Sequence, residues 1–204
     1  MYTPEQSRIE SVAEIQELIS SYSFGILVTS ELEATHLPFV LAENEGNLGT
    51  LYSHCSKANP HWQQLDCSNV LVIFTGPHSY ISPTCYQKGP AAPTWNYTIA
   101  HVRGTASLVD ESTTCRIVDQ TVAHNEPELM AERKIVTEEF RDRLLPMVVG
   151  FKIVIQQLEG KQKLGQHRSP ADQQGVLQWL SSSSAYPSRE LAQYMRKVGT
   201  GTGQ

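Results

Sequence analysis

The spacing of apolar positions changes period once within the first fifty residues. Val12, Ile15, Leu18 and Ile19 recur three and four apart, which marks one buried face of a helix. Ser11-Val-Ala-Glu14 has the form of a capping box, so a helix over 12–21 is predicted, ending near Phe24-Gly25. Gly25–Thr29, Ala34–Leu41 and Gly49–His54 are short, apolar and β-branched, with polar breaks between them. They predict three strands, with a hairpin turn at 43–47. Asn59–Leu65 suits a short helix with Pro60 at its first position. Val70–Thr75 reads as a strand stopped by Gly76-Pro77. Tyr80–Ser82 and Tyr97–Val109 read as extended, around a Pro/Gly/Ala loop at 87–93.

After Asp110 the period is helical through Val122, and again from 137 to 145. Val148–Leu158 predicts a last strand. Ser169-Pro170 opens a helix with a favoured cap and first residue, running to Leu180. A serine linker at 181–184 and an amphipathic helix at 188–198 follow. The glycine-rich end, 199–203, superficially resembles a dinucleotide loop, but no helix follows it to receive a phosphate. It is expected to be frayed. Strands come first and helices late, without βαβ alternation. This order predicts a mainly β fold with helical decorations (α+β), built on an antiparallel barrel. The expected organisation is one domain at 1–168, a helical appendage at 169–198 and a flexible tail at 199–204.

Composition narrows the class. The chain has 204 residues, 40% of them hydrophobic and 18% charged, enough apolar material for a sizeable core. No apolar run approaches the ~20 residues that cross a bilayer. The start, MYTPEQSRIE, lacks the basic and apolar stretches of a secretory signal, so a cytoplasmic setting is expected. There the sequon Asn96-Tyr97-Thr98 is a structural element. Cys55, Cys67, Cys85 and Cys115 show no C-x-x-C pairing and are expected as buried thiols rather than metal ligands or disulfides. The net charge of −5 argues against a protein that coats nucleic acid. Charge is unevenly placed, however. Ser53–Arg103 carries Lys57, Lys88 and Arg103 against Asp66 alone, and Lys152, Lys161, Lys163 and Arg168 face only Glu159. Two positive segments in an acidic chain suit a small anionic ligand as well as solvated barrel edges.

The same stretch, Ser53–Arg103, holds four of seven histidines, two of three tryptophans and five of eleven prolines. It is either a site wall or a core rich in aromatics. No G-x-S-x-G, H-E-x-x-H or P-loop occurs, and adjacent His78-Ser79 on a strand would face opposite ways. Trp62 is expected to pack the short helix, and His61 and His78 to be turn or surface residues. His101 and Arg103 share one strand face.

Several ordered blocks carry a resemblance. They are Ala34-Thr-His-Leu-Pro38, Ser53-His54, Lys57-Ala-Asn-Pro60-His-Trp62, Phe74-Thr-Gly-Pro-His-Ser-Tyr-Ile-Ser-Pro83, Pro93-Thr-Trp-Asn-Tyr97 and Lys161-Gln-Lys-Leu-Gly-Gln166. Together they resemble the PaiB-type family of FMN-binding transcriptional regulators. The resemblance implies a split β-barrel akin to pyridoxamine-phosphate oxidase, a homodimer, and FMN lying between subunits. Lys57 or Lys88, with backbone donors at Asn59, would then meet the phosphate, and Ala58 belongs to the same cofactor-binding set. Thr35, His36, His54, Tyr80, Ser82, Trp95 and Asn96 would meet the ring and its polar edge. Lys163, Gln166 and His167 match the family's C-terminal motif and would reach the neighbouring subunit's flavin. Cys85 stands where the family commonly has Trp, and Gly165 and His167 replace its Ser and Asn. Three functions remain open: a flavin-binding regulator, with DNA contact unsupported by any helix-turn-helix; an FMN-dependent oxidoreductase working with a nicotinamide; and a haem-binding split barrel.

Overall fold

The computed structural model describes residues 1–87, 89–132 and 135–204, without the side chains of 130 and 131. Its strands are β1 (Arg8–Ile9), β2 (Phe24–Val28), β3 (Ala34–Ala42), β4 (Thr50–Ser56), β5 (Ser68–Ile81), β6 (Thr94–Leu108) and β7 (Val148–Lys163). The order across the sheet is β1-β7-β4-β3-β2-β5-β6, and β6 also pairs with β7. That pairing closes β2–β7 into a six-stranded antiparallel barrel, with β1 added on β7. The helices are α1 (Val12–Ser21), α2 (Glu111–Asn125), α3 (Pro127–Glu132), α4 (Glu138–Leu144), α5 (Pro170–Ser182) and α6 (Tyr186–Val198). The mainly β, helix-decorated architecture expected from the element order is the one observed.

The chain forms two compact units: 12–74 with 101–158, and 1–11 with 75–100 and 159–204. In the first, strand alternation sends Leu51, Ser53 and Cys55 of β4 inward and leaves Tyr52 and His54 partly exposed. Phe39 sits edge-on to both Phe74 (5.4 Å) and Phe151 (6.4 Å). Leu27, Val72 and Ile153 are fully buried with them, each contributing about 1.5–3 kcal/mol by leaving water. The seam between β6 and β7 needs Gly104, since a Cβ there would overlap the Val154 carbonyl. Helix α2 is capped by Asp110, whose carboxylate accepts the Thr113 amide at 2.7 Å.

The second unit has its own core of Ile81, Leu164, Val176, Leu180, Leu191, Ala192 and Met195. Helices α5 and α6 share this core with Ile81 of β5 and with Leu164, just past β7. Ser181 and Ser182, expected in a linker, finish α5. The glycine-rich end is not frayed either. Gly201 and Thr202 are buried, and Gly203 donates its amide to Gln173 Oε1 at 3.1 Å.

Strand β5 continues through Gly76-Pro77, where the sequence predicts a stop. Proline lacks only its N–H, and the Pro77 carbonyl still accepts from the Thr98 hydroxyl.

Candidate functional site

In the barrel unit, two of the candidate residues, Thr35 and Asn59, gather around His61, which was expected to be a turn or surface residue. Asn59 caps the short helix Pro60–Gln64, its Oδ1 accepting the His61 amide at 3.0 Å. This cap turns the His61 imidazole inward, and the residue is only 2% exposed. His61 is thus neither a turn nor a surface residue. Its Nδ1 lies 2.7 Å from the Thr35 hydroxyl at the start of β3, and its Nε2 3.2 Å from the Thr29 hydroxyl just past β2. Asn59 Nδ2 donates to the same Thr35 oxygen at 3.2 Å, and Thr29 donates to Gln64 Oε1 at 2.6 Å. Thr35 and Asn59 remain partly exposed, so this hydrogen-bonded group has a buried end and an accessible one.

The backbone donors expected to meet a phosphate are committed elsewhere. Lys57 N–H donates to the Met147 carbonyl (2.8 Å), Ala58 N–H to Ser56 Oγ (3.3 Å) and Asn59 N–H to the Ser56 carbonyl (2.9 Å). A short turn must close its own hydrogen bonds before it can bind an anion. What this segment retains for a phosphate is the exposed Lys57 side chain, which lines a cavity of about 210 Å³ with Glu111, Thr114 and Pro146. Trp62 packs over the turn, its Nε1 donating to the Lys57 carbonyl at 3.1 Å. His36 is exposed and lies against Phe24, ring centres 6.3 Å apart. His54 is placed apart from this group on β4, opposite Gly150. Its Nδ1 is buried without a hydrogen bond.

Burial pushes the pKa of both His54 and His61 below the ordinary 6.5, with the Glu33 carboxylate partly offsetting the effect at His61. The unfolded chain takes up these protons near pH 6.5, the folded chain only at lower pH. Stability is therefore complete above 6.5 and falls as pH drops through the window beneath it. Urea midpoints should be lower at pH of about 5.5 than at about 7.5, and His54→Gln should flatten that difference. An unchanged slope in the variant would remove His54 from the account.

In the second unit, Trp95 (54% exposed) and Tyr80 (44%) project from β6 and β5. Their ring centres are 6.1 Å apart, edge to face, and His78 lies 6.3 Å from Trp95. Asn96, next along β6, points the opposite way and is 2% exposed. Its Nδ2 has no hydrogen-bond partner, and the nearest approach from Gly165 would be a Cβ at 3.6 Å. An unfilled buried amide donor is costly and is the type of group that a ligand carbonyl satisfies. Lys163 donates to Thr94 Oγ1 and to the Trp95 carbonyl (2.9 Å), so its ammonium holds the start of β6.

Gln166 is a local tie. Its Oε1 accepts the Leu164 amide and its Nε2 donates to the Gln6 and Gln162 carbonyls. Its side-chain donors are thus both used within the protein. Ser82 likewise caps the short helix Pro83–Cys85 through the Thr84 amide. His167 is exposed. Cys85 packs on the unit's apolar core beside Tyr86, Leu177 and Trp179. Lys88 lies outside the described residues. His101 and Arg103 do share one face of β6, alternating with buried Val102 and Gly104.

A closed antiparallel barrel with accessible polar groups at strand ends is the architecture of the flavin-binding split barrels. Residues 1–157 match the family described as "Putative FMN-binding domain". The chain belongs to this family, and FMN is its cofactor. It is 29% identical, over 203 residues and 96% of each chain, to "Protease synthase and sporulation protein PAI 2" of Bacillus subtilis. Among solved structures it is similar in fold to the flavocytochrome Anf3 of Azotobacter vinelandii (TM-score 0.60, 12% identity, 76% of this chain and 69% of that one). It is also similar to the FAD and haem binding protein of Mycobacterium smegmatis (TM-score 0.57, 14% identity, 77% and 73%). The donor set of the barrel unit fits the cofactor: Lys57 would meet its phosphate, and Thr35 and Asn59 its ring.

Proposed function

We propose that this chain works as a homodimeric FMN-binding regulator of the PaiB type, with the flavin held between subunits. The observation that carries this reading is the end-to-end likeness to a protein named for protease synthesis and sporulation, over 96% of both lengths. Bound FMN supplies reversible one- and two-electron chemistry. In this reading the Lys57 ammonium neutralises its phosphate, while Thr35 and Asn59 orient its ring. Direct DNA contact draws little support from α6, the most basic helix. Arg189 donates to the Ser183 and Ser184 carbonyls, and Arg196 to Ser181 Oγ.

The purified protein should show flavin absorbance and sediment as a dimer. A Soret band in place of flavin bands would move the assignment to haem. A gel-shift series across salt concentration tests the DNA arm, because a complex absent even at low salt removes direct binding.

A second reading, FMN-dependent electron transfer with a nicotinamide, is favoured by the exposed Trp95–Tyr80–His78 cluster, which offers aromatic contacts to another ring. Anaerobic bleaching of the bound flavin by a reduced nicotinamide supports it, and no bleaching ends it.

A further inference from the structure

The hydrogen bonds around His61 have their direction fixed from both ends. Asn59 Oδ1 takes the His61 amide, which leaves Nδ2 as the donor toward Thr35 Oγ1. The Thr35 oxygen therefore accepts there, and its own proton is available for His61 Nδ1 at 2.7 Å. On the other side Thr29 gives its proton to Gln64 Oε1, so its oxygen can only accept from His61 Nε2 at 3.2 Å. An imidazole that accepts at Nδ1 and donates at Nε2 is neutral and in a single tautomer.

We propose that His61 is a positioning residue that fixes the hydrogen-bond polarity of Thr35 and Asn59, so that this pair receives the imide edge of the flavin ring. The proposal rests on the reading above, in which Thr35 and Asn59 touch FMN. With its proton turned inward, Thr35 offers a ligand only a lone pair. Asn59, with one amide hydrogen on Thr35, offers the other. A phosphate carries acceptors and would meet the Thr35 lone pair unfavourably. An imide carries an N–H beside a C=O, complementary to an acceptor and a donor held 3.2 Å apart. The burial of His61 that keeps it uncharged also keeps water from reordering the chain of donors.

Two substitutions separate this role from packing. His61→Asn places a carboxamide oxygen near the Nδ1 position and keeps an acceptor for Thr35, whereas His61→Gln reaches toward Thr29 and loses it. Titration with FMN, followed by flavin fluorescence, should find His61→Asn within about threefold of the wild type and His61→Gln weaker by about tenfold. Equal losses, or none, overturn the positioning role. Nitrogen-15 spectra of the imidazoles in the wild-type protein without flavin should show His61 protonated at Nε2 alone. A proton on Nδ1 overturns the relay even if neither variant folds. FMN methylated on its imide nitrogen should bind the wild type at least tenfold more weakly, and equal binding overturns the imide assignment. If Thr35→Val leaves FMN affinity unchanged, the reading that Thr35 contacts the cofactor fails, while the tautomer measurement still judges the relay.

Discussion

Gly104→Ala should destabilise the protein by about 3 kcal/mol, at the upper end of over-packing costs. The added methyl would overlap the Val154 carbonyl and lie within 3.0 Å of both the Ile153 side chain and the Val154 carbonyl carbon. Backbone cannot swing aside as a flexible side chain can, so β6 and β7 must separate at the seam that closes the barrel. The neighbouring substitution Thr105→Ala provides a scale. It removes hydrogen bonds with Gln156 and Asn69 at the surface and should cost about 1 kcal/mol or less. Urea midpoints of the two variants, at equal slope, test the contrast. A Gly104→Ala midpoint equal to that of Thr105→Ala would mean that the seam is looser than described.

That seam also shows what could be read from sequence. The strands themselves were legible, because alternation such as Leu51, Ser53 and Cys55 inward against Tyr52 and His54 outward is a local property. A barrel was expected from the element order, but the pairing that closes it was not legible, because it depends on β6 meeting β7 across roughly fifty residues. The candidate site divides in the same way. Thr35 and Asn59 were singled out by their motif blocks. His61 was missed because its partners, Thr29 and Thr35, are supplied by the register of β2 and β3 rather than by its neighbours in the chain. One local signal was available: an Asn cap two residues before a histidine holds that residue's amide and directs its ring. The backbone donors of Ala58 and Asn59 and the side-chain amide of Gln166 differ from expectation for the opposite reason. Each is a donor of the kind a flavin needs, but the turns in which they sit use those donors first.

The end of the chain gives the second large effect. Gly199 and Gly201 both have left-handed backbone, with φ of 64° and 72°, so any L-residue carries a cost of roughly 1–2 kcal/mol at either position. Their surroundings differ. A Cβ at Gly199 meets nothing within 4 Å, while one at Gly201 would overlap the Leu164 carbonyl and approach the Leu164 Cβ and Met195 Cε at 3.1 Å. Gly199→Ala should therefore cost about 1 kcal/mol, and Gly201→Ala about 3 kcal/mol, the excess being steric. The local consequence reaches beyond stability. Leu164 lies between Lys163, which ties down Thr94 and Trp95, and Gly165, which faces the unfilled amide of Asn96. Displacing Leu164 should loosen the strand that presents Trp95 and Asn96, so Gly201→Ala should weaken FMN binding while Gly199→Ala leaves it near the wild-type value. Equal stability of the two variants would show that the glycine-rich end is held less closely than its buried Gly201 and Thr202 indicate. The expected larger loss in Gly201→Ala with unchanged FMN affinity would instead separate this segment from the cofactor.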